Sequence, residues 1–333
     1  MMDKKIAVVI LNWNGAKLLE QFLPSIVAYS NEATVYVADN ASTDFSITII
    51  KTQFPNIKII ENKGNFGFAK GYNVALREVE EPYYALVNSD VEVTENWLKG
   101  ILSIFDSRPE IGIIQPKILD YKKKTHFEYA GAAGGFIDKY GYPFCRGRIF
   151  ESLEKDTNQY DDDREIFWAS GACFFIRKDL YRKLNGFDND FFAHQEEIDL
   201  CWRAFNSGYK VFYTSKSVVY HVGGATLEVS NPKKTFLNFR NSLLMLVKNL
   251  PKNKLLPILF MRLILDALAG FQFIYKGKFQ HFFMIIKAHF AFYRLISKNL
   301  KKRIPLQQEN YYHTKSIVYN YFVKNGKVFD DII

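Results

Sequence analysis

Four short apolar runs before residue 90 each stop at a cluster of polar residues, and this alternation constrains the fold more than any other feature of the chain. Residues 6–11 end in Asn12-Trp13-Asn14-Gly15, and residues 34–38 end in Asp39-Asn40. Residues 57–60 are followed by a glycine-rich loop over 62–71, and residues 83–87 stop at Asn88-Ser89-Asp90. Unbroken apolar runs rich in β-branched residues predict strands covered on both faces. Between the first two runs, Leu18, Leu19, Phe22, Leu23, Ile26 and Val27 carry helical spacing. Further helices are predicted over 45–53, from the glycine-rich loop to about residue 79, and from about Glu95. Strands alternating with helices predict an α/β fold built on a mostly parallel sheet. In such sheets ligands bind at the carboxyl ends of the strands, so three polar loops should converge on one crevice. Asp90 would sit there, where a carboxylate can hold a hard divalent cation against phosphate oxygens. Taken alone, Asn-Ser-Asp is an ordinary turn sequence.

Beyond residue 111 the alternation stops. Residues 118–165 are rich in Gly, Tyr, Lys and Asp and read as irregular or hairpin structure. A strand is expected over 169–176, then helices over 178–184 and 195–207. Two short extended pieces, 210–213 and 217–220, precede His221, and helices follow over 233–249 and 254–300.

Three cysteines stand far apart with no CxxC pair, which predicts neither a zinc site nor a disulfide framework and suits a reducing cytosol. The first apolar run is too short for a secretory leader. The net charge of +9 is localised. Residues 248–303 hold twelve Lys/Arg and one acid, Asp266. That argues against a nucleic-acid-coating protein and for one basic contact surface. Residues 255–275 have the length of a membrane span but are interrupted by Pro257, Arg262, Asp266 and Gln272. Basic residues interleaved with Phe, Leu and Ile suit helices lying in the plane of an anionic membrane surface; packing on the main domain or a dimer contact are the alternatives.

Several motifs occur in order: Val-Ile-Leu-Asn-Trp-Asn-Gly (9–15), Val-Ala-Asp-Asn-Ala-Ser-Thr-Asp (37–44), Asn-Phe-Gly-Phe-Ala-Lys-Gly-Tyr-Asn (65–73) and Val-Asn-Ser-Asp (87–90). They continue with Gly-Ala-Cys-Phe-Phe-Ile-Arg (171–177), Gly-Phe-Asp (186–188), Glu-Glu-Ile-Asp-Leu-Cys-Trp-Arg (196–203), His221 and Arg240-Asn241. In these the chain resembles the family 2 glycosyltransferases of GT-A fold, and within them the rhamnosyltransferase-like enzymes of bacterial surface-polysaccharide assembly. The resemblance implies a GT-A domain over 1–250, with a nucleotide-binding half (1–115) and an acceptor-binding, catalytic half (116–250). Residues 251–333 would be a helical, membrane-associating region.

The resemblance implies the following site. Trp13 stacks on a pyrimidine and Asp39 accepts its imide proton. Asn14, Asn65, Gly67, Asn88 and Ser89 border the nucleotide sugar, and Asn73 helps hold the glycine-rich loop. Asp90 is the last carboxylate of a DxD motif whose first acid is here Asn88, and it binds Mn²⁺ or Mg²⁺. His221 completes the metal shell or is structural. Glu197 is the base that takes the acceptor's proton, with Glu196 as runner-up, because the family usually has Asp at this position. Trp168, Ser170 and Gly171 wall the acceptor side. Arg240 grips the diphosphate or is a surface arginine. Asp199 and Arg203, four apart on one helix, can pair as a surface salt bridge.

The implied activity is inverting, metal-dependent transfer of a sugar from a UDP- or dTDP-sugar to a hydroxyl of a lipid-linked glycan. It would take place at the cytoplasmic face of the membrane and involve no nucleic acid. Two other readings are a sugar-nucleotide pyrophosphorylase, for which Asn-Trp-Asn-Gly-Ala-Lys is a poor triphosphate loop, and a non-catalytic membrane-bound scaffold.

Overall fold

The computed structural model describes residues 4–223 and 231–332. The first half follows the predicted alternation: β1 (Ile6–Asn12), α1 (Ala16–Tyr29), β2 (Ala33–Asp39), α2 (Ser46–Gln53), β3 (Lys58–Glu61), α3 (Gly67–Ala75) and β4 (Tyr83–Asn88). Then come β5 (Val91–Val93), α4 (Lys99–Ser107) and β6 (Ile111–Asp120). The expected helix from Glu95 begins later than expected. Residues 91–93 are drawn into pairing with a distant strand, and Asn96 takes a left-handed backbone, φ 61°.

The second half contains β7 (Gly135–Ile137), β8 (Pro143–Cys145), β9 (Arg148–Ile149), β10 (Ser152–Leu153), β11 (Asp163–Ile166), β12 (Cys173–Arg177), α5 (Lys178–Lys183), α6 (Glu196–Asn206) and β13 (Lys210–His221). The stretch read as irregular or hairpin structure divides in two. Its start belongs to β6, which is buried from Ile111 to Leu119, and β7–β10 form a small antiparallel sheet. The two extended pieces before His221 are one strand with an irregularity between Thr214 and Val218.

Among the described residues the main sheet has nine strands, in the order β11-β13-β6-β12-β4-β1-β2-β3, with β5 on β13. β1 pairs in parallel with β2 and with β4, and β12 runs antiparallel between β4 and β6. Strand order reverses at β1, where β2 and β3 lie on one side and β4 on the other, and such a switch opens a crevice at the carboxyl ends. Register places Asn12 beside Asp39 and Leu11 beside Asn88 along that edge. β1 is buried on both faces, which is why its sequence shows no alternation.

The chain ends in α7 (Pro232–Asn249), α8 (Lys252–Tyr275), α9 (Phe279–Leu300) and α10 (Ile317–Phe322). The region after residue 250 is not a separate unit. Lys302 reaches Asp188, Tyr311 stacks on Trp202 at 5.0 Å, and Phe329 joins the core beside Phe136.

α8 has its polarity reversed relative to an ordinary surface helix. It buries Arg262 and Asp266 and exposes Leu256, Phe260, Leu268, Phe271 and Tyr275. By length and composition it could cross a membrane. The buried charges are paired: Arg262 Nε lies 3.3 Å from Asp266 Oδ1, and Arg262 Nη1 donates to Ser242 Oγ at 2.8 Å. Asp266 also accepts from Tyr142 Oη at 3.1 Å and lies 3.1 Å from His289 Nε2 on α9. Removing one partner of a buried pair leaves an uncompensated charge. Asp266→Ala is therefore expected to lower unfolding free energy by about 3–5 kcal/mol, read as a lower urea midpoint.

Candidate active site

The loops after β1 and β2 are tied to each other by short side chains. Asn12 Nδ2 donates to Asp39 Oδ1 at 2.8 Å and to Ser42 Oγ at 3.1 Å. Asp39 also accepts from the Ser42 hydroxyl at 2.6 Å and its amide at 2.8 Å. Asn14 staples the same loops, donating its amide to Ser42 Oγ at 2.8 Å and accepting from the Thr43 amide at 2.7 Å. These bonds hold Asp39 as a fixed, buried acceptor at the strand edge. Trp13 beside it stands out of the fold, 53% exposed, with its ring free to meet a flat partner. Trp13 and Asp39 thus stand together at the carboxyl edge of the sheet.

The glycine-rich loop is held by its own turn and by a segment from the second half of the chain. Asn65 Oδ1 caps the turn by accepting from the Gly67 amide at 3.0 Å. Gly67 has φ +71°, and a β-carbon there would lie 2.8 Å from the Phe192 ring. The close approach that requires glycine is therefore to Phe192 of the catalytic half. Asn73 likewise holds the Gly186–Asp188 turn rather than its own loop. It donates to the Phe187 carbonyl at 2.7 Å and accepts from the Phe187 amide at 2.9 Å and from Tyr181 Oη at 2.6 Å.

At the end of β4 the Asn88 amide donates to the Ala172 carbonyl at 2.9 Å, which brings the start of β12 to the crevice. Ser89 follows in the turn, half-buried. Pairing of β5 with β13 sets His221 opposite Val91, and this places its imidazole on Asp90, with Nε2 3.1 Å from Oδ1. Nδ1 lies 3.2 Å from Glu128 Oε1. All three side chains are buried. Burial disfavours the imidazolium, but Glu128 and Asp90 outweigh it and hold the pKa up at about 10.

Among the described residues no group of three or more His, Cys, Asp or Glu side chains could enclose a metal by itself. Asp90 and His221 do fit an open site. A cation that displaced the imidazolium proton would meet an oxygen and a nitrogen donor, and Glu128 lies near the far ring nitrogen, where metal-ligating histidines usually have a carboxylate. Glu128 lay in the stretch read as irregular and carried no sequence signal.

Glu196 and Glu197 open α6. A β-carbon at Gly171 would lie 3.7 Å from the Glu197 carboxyl carbon, so this glutamate faces the start of β12. Burial pushes its pKa up to about 7. Burial, and then the charge of Glu197, push Glu196 well above the carboxylate range. One oxygen of each is buried without a hydrogen-bond partner among the described residues.

Asp199 is fully buried, which corrects the surface pairing expected for it. It accepts from Arg203 Nε at 2.8 Å, Lys248 Nζ at 2.8 Å and Asn249 Nδ2 at 2.9 Å. Trp168 is buried too, its indole N–H donating to the Phe136 carbonyl at 2.7 Å and its ring filling the space a side chain at Gly135 would need. Ser170, whose amide donates to Gln115 Oε1 at 2.8 Å, and Gly171 carry the chain from Trp168 to β12.

The segment entering α6 is strained. Phe192, His194 and Gln195 all have left-handed backbones, φ 63°, 68° and 71°. Such residues persist only where the surroundings hold them, each at a cost of order 1–3 kcal/mol. The buried Asn241 is that support. Its Nδ2 donates to the carbonyls of Phe191, Ala193 and His194 at 3.0, 2.9 and 2.8 Å. Arg240 Nη2 donates to the carbonyls of Asp190 and Phe191 at 2.9 and 3.2 Å, so the structure places this guanidinium on the segment before α6. The Phe192 carbonyl in turn accepts from the Phe68 amide at 2.9 Å, joining the segment to α3. Asn241 was visible only as the neighbour of Arg240 in a motif.

A sheet whose strand order switches at β1, with an exposed tryptophan, the buried Asp90–His221 pair and a buried glutamate at the head of α6, has the layout of a GT-A glycosyltransferase. The model of Glycosyl transferase family 2 matches residues 7–184, and the chain belongs to that family.

It is 24% identical over 245 residues to N-acetylglucosaminyl-diphospho-decaprenol L-rhamnosyltransferase of Mycobacterium tuberculosis, covering 68% of this chain and 78% of that one. Among solved structures, GalNAc-T7 with UDP, GalNAc and Mn²⁺ aligns with a TM-score of 0.57 at 16% identity, over 75% of this chain and 49% of that one. TarS 1–349 of S. aureus with UDP-GlcNAc aligns with a TM-score of 0.56 at 17% identity, over 90% and 84%. These structural likenesses show the GT-A fold, and the family makes the protein a glycosyltransferase.

Small displacements of a catalytic group can cost roughly 10²-fold in rate. Asn241→Ala is expected to lower kcat by about that factor with little change in donor KM, measured by steady-state kinetics.

Proposed function

We propose that the protein is an inverting glycosyltransferase that moves a sugar from a UDP- or dTDP-sugar to a hydroxyl of a lipid-linked glycan in cell-surface polysaccharide synthesis. The observation that carries this reading is Glu197. It is a buried carboxylate with a pKa near 7, facing the start of β12 beside the crevice that holds Trp13, Asp39 and Asp90. A base poised near the working pH is the one general-base catalysis favours.

The acceptor oxygen forms its bond to the anomeric carbon as the bond to the diphosphate oxygen breaks. The electron pair leaves with the nucleoside diphosphate, and the acceptor's proton passes to Glu197. Trp13 and Asp39 hold the base of the nucleotide, with Asn14, Asn65, Gly67, Asn88 and Ser89 around the donor. Asp90 and His221 would hold a divalent cation, Mn²⁺ or Mg²⁺, which when bound stabilises negative charge on the departing diphosphate. Glu128 orients His221 from behind. Glu196 keeps its proton and leaves Glu197 as the sole anion of the pair. Arg240 positions the segment that carries the base.

The relative's name supports a lipid-diphosphate-linked acceptor and a deoxyhexose donor. The outward apolar faces of α8 and α9 support a peripheral place on an anionic membrane, at the cytoplasmic face of the cell membrane.

Glu197→Gln is expected to lower kcat by roughly 10²–10⁴-fold, and wild-type kcat should fall as pH drops below about 7. Because the folded-state pKa is raised, ionising Glu197 destabilises the fold as pH rises from its unfolded value toward 7. The same substitution should therefore raise the melting temperature above neutral pH. Unchanged turnover would move the base to Glu196.

UDP or dTDP should raise the melting temperature only with Mn²⁺ present, since a ligand that binds the folded state stabilises it by mass action. Asp90→Asn should abolish that dependence. A shift independent of metal, or one with GDP or CDP, would contradict the donor assignment.

A further inference from the structure

A cleft of about 370 Å³ lies between α7 and α9. Its floor and walls are Phe236, Phe283, Ile286 and Phe290, and Lys287 and Arg294 stand among them. The two cations have no acid on their own helix to pair with, because α9 contains none. Asp190, at the foot of α9, is already held by Lys298 at 2.5 Å and by Lys302 at 2.7 Å. Lys287 instead lies over the Phe236 ring at 5.8 Å. An apolar trough whose cations carry no ion pair among the described residues suits an amphiphile that joins a long hydrocarbon to an anionic head.

The position of the cleft says more than its lining. Its α7 wall leads to Arg240, whose guanidinium lies 5.2 Å from the Phe236 ring centroid and binds the carbonyls of Asp190 and Phe191. Its α9 wall leads one helical turn on, from Arg294 to Lys298, which binds the Asp190 carboxylate. Both walls therefore converge on the segment 190–195 that runs into Glu196 and Glu197. In the other direction Phe283 and Phe290 belong to the exposed apolar face of α9, and α8 beside it exposes Phe260, Leu268 and Phe271. One end of the cleft thus opens toward the surface that would meet a bilayer, and the other reaches the entrance to the catalytic helix.

We propose that this cleft binds the lipid diphosphate of the acceptor. The polyprenyl chain would lie along Phe236, Ile286 and Phe290, and the diphosphate between Lys287 and Arg294, with the attached saccharide directed toward Glu197. This inference rests on the reading of the protein as an enzyme with a lipid-linked acceptor, and it assigns the residues that select for the lipid. Lys287 and Arg294 lie on the exposed side of α9 and outside the core, so their reversal leaves the fold intact.

The test uses the full chain in neutral detergent micelles with divalent metal chelated. It is titrated calorimetrically with a long-chain polyprenyl diphosphate, with the matching polyprenol, with inorganic diphosphate and with phosphatidylglycerol. The polyprenyl diphosphate should bind at least tenfold more tightly than any of the other three. K287E/R294E should lose at least tenfold of that affinity, while K252E/K276E, at the two ends of α8, should keep it. Equal binding of phosphatidylglycerol would make the surface a general anionic-lipid contact and overturn the proposal, as would undiminished binding by K287E/R294E. Sugar transfer is followed separately with a water-soluble acceptor that lacks the lipid. Loss of transfer there refutes the enzymatic reading, whereas K287E/R294E should leave that transfer unchanged.

Discussion

The buried carboxylate of Asp199 holds the catalytic half together. It lies one turn into α6 and receives Arg203 from its own helix and Lys248 and Asn249 from α7. Arg203 continues to the carbonyls of Leu184 and Gly186, and Lys248 continues to Asp188 at 2.7 Å. Lys302, from beyond α9, closes the circuit on Asp188 and Asp190. A charge removed from water is tolerated only when it is paired and hydrogen-bonded. Here the pairing fixes α6 to α7, to the turn before α6 and to the carboxy-terminal helices, so the position of Glu197 is set by partners up to a hundred residues away.

That frame explains the strain at the entrance to α6. The rigid helix on one side and α3 on the other leave a short path, which the chain covers with left-handed residues at 192, 194 and 195. Asn241 satisfies the carbonyls that this geometry exposes, and Phe192 fits only because residue 67 lacks a side chain. The glycine-rich loop and the head of α6 are thus mechanically one piece. Strain stored at functional sites and held by the surrounding structure is a recurring arrangement. Here it keeps a buried glutamate, near neutral pKa, facing Gly171 with an oxygen unpaired.

The sequence made the first half of the fold legible because β1, β2 and β4 carry their signal locally, as apolar runs closed by polar residues. The same signal located Asp39 and Asp90 at strand ends, whereas Glu197, in the first turn of α6, was marked only by its motif. Asp199 was visible as an i, i+4 partner of Arg203, but not its burial, which depends on Lys248 from another helix. Glu128 touches His221 only through the topology that brings β13 alongside β6, and nothing around residue 128 marks it. The β7–β10 sheet was visible only as irregular or hairpin structure, because its strands are two or three residues long, too short to show a period. The glycine-rich loop was legible as a turn, but the packing of Phe192 on Gly67 is set by tertiary structure. α8 carried a mixed signal for a physical reason: its charges face inward to Tyr142, Ser242 and His289, and its apolar residues face out.

The central claim is single displacement at the anomeric carbon with Glu197 as base. The most direct measurement is the anomeric configuration of the product relative to the donor, by proton NMR during transfer to a soluble acceptor. Inversion is the predicted result. Retention of configuration would contradict the account, because it requires either a second displacement or attack from the face of the departing diphosphate.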